Sequence, residues 1–228
     1  MRFLDQFSVV LLDMNGTFMF GHDRFGPEQD YFATYQALGG NRLTRDELMS
    51  VWLPSLASLL QIYDTPSRFD DFPVLSEVFM EHGAGKENVP DLERLFAAHE
   101  IGEVPTTHAK FIAATAKTHS LGVVSNICAH PSTWLHTCAS AGVFEAFKVL
   151  VFSSEGRSIK PSSALFRRAM DAFPAESRIL FVGDSLERDI IPARALGMST
   201  TWIAPPGASH PAADRVVTSL PELAQVPT

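Results

Sequence analysis

The stretch Phe7-Ser8-Val9-Val10-Leu11-Leu12, followed at once by Asp13-Met14-Asn15-Gly16-Thr17, decides how the rest of the chain is read. Five of the first six residues are apolar, with two valines in succession. So short an apolar run predicts a strand buried on both faces, as in a parallel sheet. Gly16 then permits a turn, which leaves Asp13 at the carboxyl end of that strand.

Working outward, the pattern changes twice. From residue 27 to about 100 the apolar residues recur at helical spacing. Pro27 is placed to open a helix carrying Tyr31, Phe32, Tyr35 and Leu38, closed by Gly39-Gly40. Thr44 and Glu47 form a capping box ahead of a longer helix, which Pro54 is expected to kink or divide. Further helical patterns cover 70–82 and 91–99. Beyond about residue 105, helices and strands alternate. Strands are expected at 122–125, 148–152, 178–182 and 200–203, each after a helix, with a last short one near Arg215-Val216-Val217 and a helix from Pro221. Strands separated by crossover helices predict an α/β protein with a Rossmann-like parallel sheet flanked by helices. Residues 1–20 and 105–228 are read as that core, and 21–104 as an all-helical insert.

In an open parallel sheet, ligands bind beyond the carboxyl ends of the strands. Four such ends carry polar residues: Asp13 with Asn15, Ser125 with Asn126, Lys160, and Gly183-Asp184-Ser185 with Asp189. Carboxylates converging without histidine or thiolate suit a hard cation, Mg²⁺. The turn at Gly16 and Thr17 offers main-chain N–H groups to an anion. Lys160 balances charge and can bind a phosphate oxygen.

Taken in order, these segments resemble the motifs of the haloacid dehalogenase-like superfamily. Asp13-Met-Asn15-Gly-Thr17 is similar to its Asp-x-Asp-x-Thr, and Ser125 to the Ser or Thr that ends a strand. Lys160 before a helix is similar to its third motif, and Gly183-Asp-Ser-Leu-Glu-Arg-Asp189 to Gly-Asp-Ser-x-x-x-Asp. The resemblance implies a phosphoryl hydrolase with a helical cap. It implies Asp13 as nucleophile and metal ligand, and a second metal contact from the Asn15 carbonyl. Asp184 would complete the protein's share. Two roles are open to Asp189, supporting the metal or holding its loop. Ser125 and Lys160 would hold the phosphoryl group, and Asn126 would bind substrate or cap its own loop. Arg24, in the Gly-bracketed loop 21–26, could bind a substrate anion or be a solvated linker residue.

Asn15 departs from the pattern. Family phosphatases usually carry an Asp there, which protonates the leaving alcohol and later activates water. An amide has no titrating proton and cannot do either at neutral pH. A slow enzyme using another acid, with His22 and Asp23 as candidates, therefore competes with a Mg²⁺- and phosphate-binding pseudoenzyme of regulatory role.

Composition narrows the partners. A net charge of −8 disfavours nonspecific nucleic-acid or anionic-membrane binding. Hydrophobic residues make up 46% and charged residues 19%, which is ordinary for a globular protein. Cys128 and Cys138 match no zinc spacing and are expected to be reduced and buried. The amino terminus has neither the basic region nor the long apolar core of a secretory signal, so a cytoplasmic enzyme acting on a small phosphorylated substrate is expected.

Overall fold

The computed structural model describes residues 3–225. Strand β1 (Val9–Leu12) is buried along its whole length and lies at the centre of a six-stranded sheet. Its partners are β2 (Ser120–Ser125) and β4 (Ile179–Gly183), in register Leu12↔Val123 and Leu12↔Val182. With β3 (Phe147–Phe152), β5 (Ser199–Ile203) and β6 (Arg215–Val217), the order is β3-β2-β1-β4-β5-β6, every pairing parallel. All the expected strands are present, shifted by at most two residues at their ends.

Side chains alternate across the pleat. Val10, Leu12, Val123 and Val182 face one core, while Val9, Leu11, Val124 and Phe181 face the other. Helices α5 (Thr106–Thr115) and α6 (Ser132–Ser140) cover the first face with Phe111, Ile112, Trp134 and Cys138. Helix α7 (Ser163–Met170) covers the second with Leu165 and Phe166. Each large apolar side chain buried this way contributes about 1.5–3 kcal/mol.

Four helices lie between β1 and α5: α1 (Tyr31–Ala37), α2 (Arg45–Tyr63), α3 (Leu75–Glu81) and α4 (Val89–Glu100). They pack around Trp52, Phe79 and Phe96, whose rings lie 5.9–6.5 Å apart. The Thr44–Glu47 capping box opens α2 as expected. Two expectations are corrected. Asp30, accepting the Ala33 N–H, starts α1 four residues after Pro27. Helix α2 runs through Pro54 unbroken, because the carbonyl deprived of a partner belongs to exposed Ser50, where water can satisfy it. Both connections to this helical unit pass through one bridge. Phe20 N–H donates to Glu103 O at 2.9 Å and Glu103 N–H to Phe20 O at 2.8 Å.

After β4 the chain departs from the expected helix. Residues Leu186–Ile190 form a π-helical turn, and α8 (Ile191–Ala195) follows. Ser185 accepts the Arg188 N–H, and Asp189 Oδ2 accepts the Ser185 N–H at 3.1 Å. The wide turn carries Asp189 back beneath the strand end, where it is buried.

Candidate active site

The strand order reverses at β1, with β2 on one side and β4 on the other. The crevice beyond their carboxyl ends is where an open α/β sheet binds its ligand. Asp13 stands in that crevice, its N–H bonded to Val182 O at 2.8 Å. Lys160 reaches it from the loop after β3. Its Nζ donates to Asp13 Oδ1 at 2.5 Å and to Asp189 Oδ1 at 2.6 Å. Thr17 Oγ1 donates to Asp13 Oδ2 at 3.2 Å. Asp13, Lys160 and Asp189 are all buried, while Asp184 is exposed.

One carboxylate oxygen from each of Asp13, Asp184 and Asp189 lies within 4.8 Å of the others. Two glycines make room for them. A β-carbon on Gly16, whose φ is +76°, would overlap the Asp184 carboxylate, and one on Gly183 would overlap that of Asp189. Three carboxyls therefore gather near one ammonium, an excess of negative charge, with Asp13 and Asp189 buried and Asp184 open to solvent. Burial raises the Asp13 carboxyl against the pull of Lys160, and pushes Asp189 up to about 6 against the same pull. Burial and the charge of Asp189 raise Asp184. Burial alone would lower Lys160, but Asp13 and Asp189 hold it well above the usual lysine value, so it is a fixed cation. The donor set is all hard oxygen with excess negative charge, which fits Mg²⁺.

Replacing Lys160 with Met would leave Asp13 and Asp189 crowded without their cation. Removing one partner from a buried ionic cluster costs about 3–5 kcal/mol. Lys160→Met is therefore expected to lower the urea midpoint clearly, with partial recovery on adding Mg²⁺. An unchanged midpoint would mean that the lysine does not stabilise this cluster.

Ser125, at the end of β2, is fully buried, and its Oγ has no hydrogen-bond partner among the described residues. Asn126 ties two loops together. Its Oδ1 accepts the Lys160 N–H at 2.8 Å, and its Nδ2 donates to Lys160 O at 3.2 Å and to Tyr63 Oη at 3.1 Å. Asn15 also faces the cavity, with its Oδ1 buried and without a hydrogen-bond partner among the described residues. The turn offers neither of the donors expected of it, since Gly16 N–H bonds Met19 O and Thr17 N–H bonds Met14 O. Arg24 does not join the group. Its guanidinium donates to Gly21 O, to Ile101 O at 2.6 Å and to Ala98 O at 2.6 Å, capping the carbonyls at the end of α4.

Sequence reading missed two contributors. Arg188 donates to Lys160 O at 2.8 Å and to Tyr63 O at 2.9 Å, and lies 3.8 Å from the Tyr63 ring centroid. It thus pins the end of α2 to the lysine loop. Nothing in the sequence pairs residues so far apart. Glu100 ends α4 and is buried. Its two oxygens accept the N–H groups of Cys128 at 2.5 Å and Ala129 at 3.0 Å, yet burial pushes its carboxyl up to about 8.

Together these groups border a cavity of about 490 Å³. One wall carries Asp13, Asn15, Ser125, Lys160, Asp184 and Asp189. The opposite wall is mostly apolar and comes from the helical unit, including Phe25, Leu56, Leu59, Leu60, Phe72 and Phe96.

Known proteins resemble this chain in two ways. A family profile described as HAD-hydrolase-like matches residues 159–223, the segment holding Lys160, Asp184 and Asp189. The whole chain also superimposes on solved structures that carry both the sheet and the helical unit. A HAD-hydrolase, YfnB of Bacillus subtilis, bound to magnesium, matches with a TM-score of 0.58 at 19% identity, over 95% of this chain and 96% of that one. Residues 159–223 match that family, and the whole chain has the fold of the haloacid dehalogenase-like hydrolases.

Within that superfamily its likenesses diverge. The 2-haloacid dehalogenase of Pseudomonas syringae pv. Tomato matches with a TM-score of 0.61 at 20% identity, over 95% and 96% of the two chains. In sequence, the pyrimidine 5'-nucleotidase YjjG of Escherichia coli is 34% identical over 90 residues. That match spans 37% of this chain and 40% of the nucleotidase. At such identities the structural matches establish the superfamily's fold, and the site has to indicate the chemistry.

Proposed function

We propose that this chain is a magnesium-dependent hydrolase of a small phosphorylated metabolite, with Asp13 as the nucleophile and residues 21–104 as a cap over the site. The observation that carries this reading is the convergence of Asp13, Asp184 and Asp189, the first and last of which accept from the Lys160 ammonium. A dehalogenase needs no such carboxylate excess, whereas a phosphoryl group and its cation do. Asp184 follows Gly183 in the motif that the resemblance assigns to metal-dependent members.

In the first step an Asp13 oxygen attacks phosphorus, the bond from phosphorus to the ester oxygen breaks, and that oxygen leaves with the electron pair. Lys160 and the unpartnered Ser125 hydroxyl hold the phosphoryl oxygens as charge spreads over them. Asn126 and Arg188 fix the lysine loop. Asp13, Asp184 and the Asn15 carbonyl would hold Mg²⁺, with Asp189 beside them, and the bound ion would supply positive charge against the phosphoryl oxygens. In the second step water attacks phosphorus and Asp13 is released. The substrate is a small molecule; nucleic acid and membrane are not partners. No helix among the described residues is long and apolar enough to cross a membrane.

Asn15 supports a second reading, a Mg²⁺- and phosphate-binding pseudoenzyme. Rapid mixing with p-nitrophenyl phosphate separates the two. Asn15 cannot activate the second-step water, so the phosphoenzyme should accumulate. The expected result with Mg²⁺ is a burst of about one nitrophenolate per chain, then slower turnover, with a hydroxylamine-labile phosphate on Asp13. Retained Mg²⁺ binding with no nitrophenolate release would favour the pseudoenzyme.

A further inference from the structure

We infer that the cavity is built for phosphate monoesters of apolar aryl alcohols, whose oxygen departs as an anion without being protonated. This rests on the hydrolase reading above, and two independent features of the cavity carry it.

The first is the proton inventory next to Asp13. Lys160 donates to two buried carboxylates and is held as a cation. Asn15 is an amide, and Ser125 is a hydroxyl. Neither is acidic enough to protonate a leaving oxygen at neutral pH. Asp184 and Asp189 share the carboxylate cluster with Asp13, and Asp189 also accepts from Lys160; the remaining titratable side chains on the wall, His22, Asp23, Tyr63, Glu100 and Cys128, make no bond to Asp13, Ser125 or Lys160 among the described residues. Both Glu100 oxygens accept main-chain N–H groups, and His22 Nε2 lies 3.7 Å from Asp23 Oδ2. The Asp23 main chain, at φ +54°, is tied to α4 by Asp23 N–H to Glu100 O and Arg24 N–H to His99 O.

The second is the wall opposite the carboxylates. Phe25, Leu56, Leu59, Leu60, Phe72 and Phe96 offer an apolar surface and no charged partner for a sugar or carboxylate. Arg188 lines the cavity too, but its guanidinium bonds Lys160 O, Tyr63 O and Asp64.

The chemistry balances without an acid. An Asp13 oxygen bonds to phosphorus, the P–O(aryl) bond breaks, and the pair leaves on the aryl oxygen as phenolate. Water then bonds to phosphorus, the P–O(Asp13) bond breaks, and both water hydrogens go with the dihydrogen phosphate product. A phenol, with a pKa of about 10, leaves this way. An alkoxide does not, because its conjugate acid is about as weak as water, near 15.7.

Phenyl and cyclohexyl phosphate, nearly equal in size, test this. Proton help to a leaving group is worth about 10²–10⁴-fold. The kcat/KM for phenyl phosphate is expected to exceed that for cyclohexyl phosphate by about 10³-fold or more, and Asn15→Asp should shrink that ratio at least tenfold. Similar values for the two esters in the native chain would overturn the inference, because some wall group would then be supplying the proton. An undiminished ratio in Asn15→Asp would overturn it as well. The apolar wall is tested through Leu60, which is 68% exposed and tolerant of change. Leu60→Asn should raise KM for phenyl phosphate several-fold, and an unchanged KM would count against an apolar recognition wall. The hydrolase reading fails separately, by absence of Mg²⁺-dependent p-nitrophenyl phosphate hydrolysis.

Discussion

Asp13→Asn is expected to abolish Mg²⁺-dependent phosphate-ester hydrolysis, by about 10⁴–10⁶-fold, the scale on which enzymes lose rate when a covalent nucleophile is removed. The fold should survive. Asp13 is one of three carboxyls facing Lys160, and burial already penalises its charge. Neutralising it leaves Lys160 paired with Asp189 at 2.6 Å and removes repulsion from the group. The thermal midpoint without Mg²⁺ should therefore stay level or rise. The stabilisation conferred by added Mg²⁺ should shrink, because a ligand has been lost and binding to the native state is what stabilises. Lost hydrolysis with an intact midpoint and a weakened Mg²⁺ response would assign Asp13 both roles. A variant that still turned over p-nitrophenyl phosphate at the native rate would remove Asp13 as nucleophile.

The parts of this site legible in the sequence were those fixed by local backbone. Val9–Leu12 is apolar because it is buried on both faces, and Asp13 follows where the strand must end, so its position at the crevice could be read. Asp184 was legible for the same reason at the end of β4. Lys160 could be placed near them because a parallel sheet sends every strand end to one rim. Its contacts with Asp13 and Asp189, 147 and 29 residues away, needed the folded chain. Arg24 shows the opposite case. A Gly-bracketed loop beside the motif left it open as an anion ligand or a solvated linker residue, but α4 ends next to it with carbonyls in need of donors, and those are nearer acceptors. Arg188 was hidden inside the fourth motif, since its partners Tyr63 and Asp64 belong to an element more than 120 residues earlier. The π-helical turn was equally invisible, because Asp189 curling back to Ser185 is a side-chain bond that no apolar periodicity records.

Asn15→Asp carries the other large expectation, a gain. The residue sits at the cavity with its Oδ1 buried and unpartnered, so a carboxyl of nearly the same shape enters without repacking. It would bring a group that titrates, able to protonate a leaving alkoxide and then accept a proton from the attacking water. Hydrolysis of alkyl phosphates is expected to rise by about 10²–10⁴-fold. With p-nitrophenyl phosphate the first step should barely change, because nitrophenolate needs no proton. The second step should accelerate, so the burst should vanish into a faster steady state. The new carboxyl also adds negative charge beside Asp13 and Asp184, so the variant should be less stable without Mg²⁺ and more strongly stabilised by it. This combination discriminates between explanations. A merely better-packed site would speed both esters alike and leave the burst in place. Unchanged alkyl phosphate activity, with Mg²⁺ still bound, would mean that a proton already reaches the leaving oxygen from elsewhere. The native amide would then have to be explained by something other than the leaving group it serves.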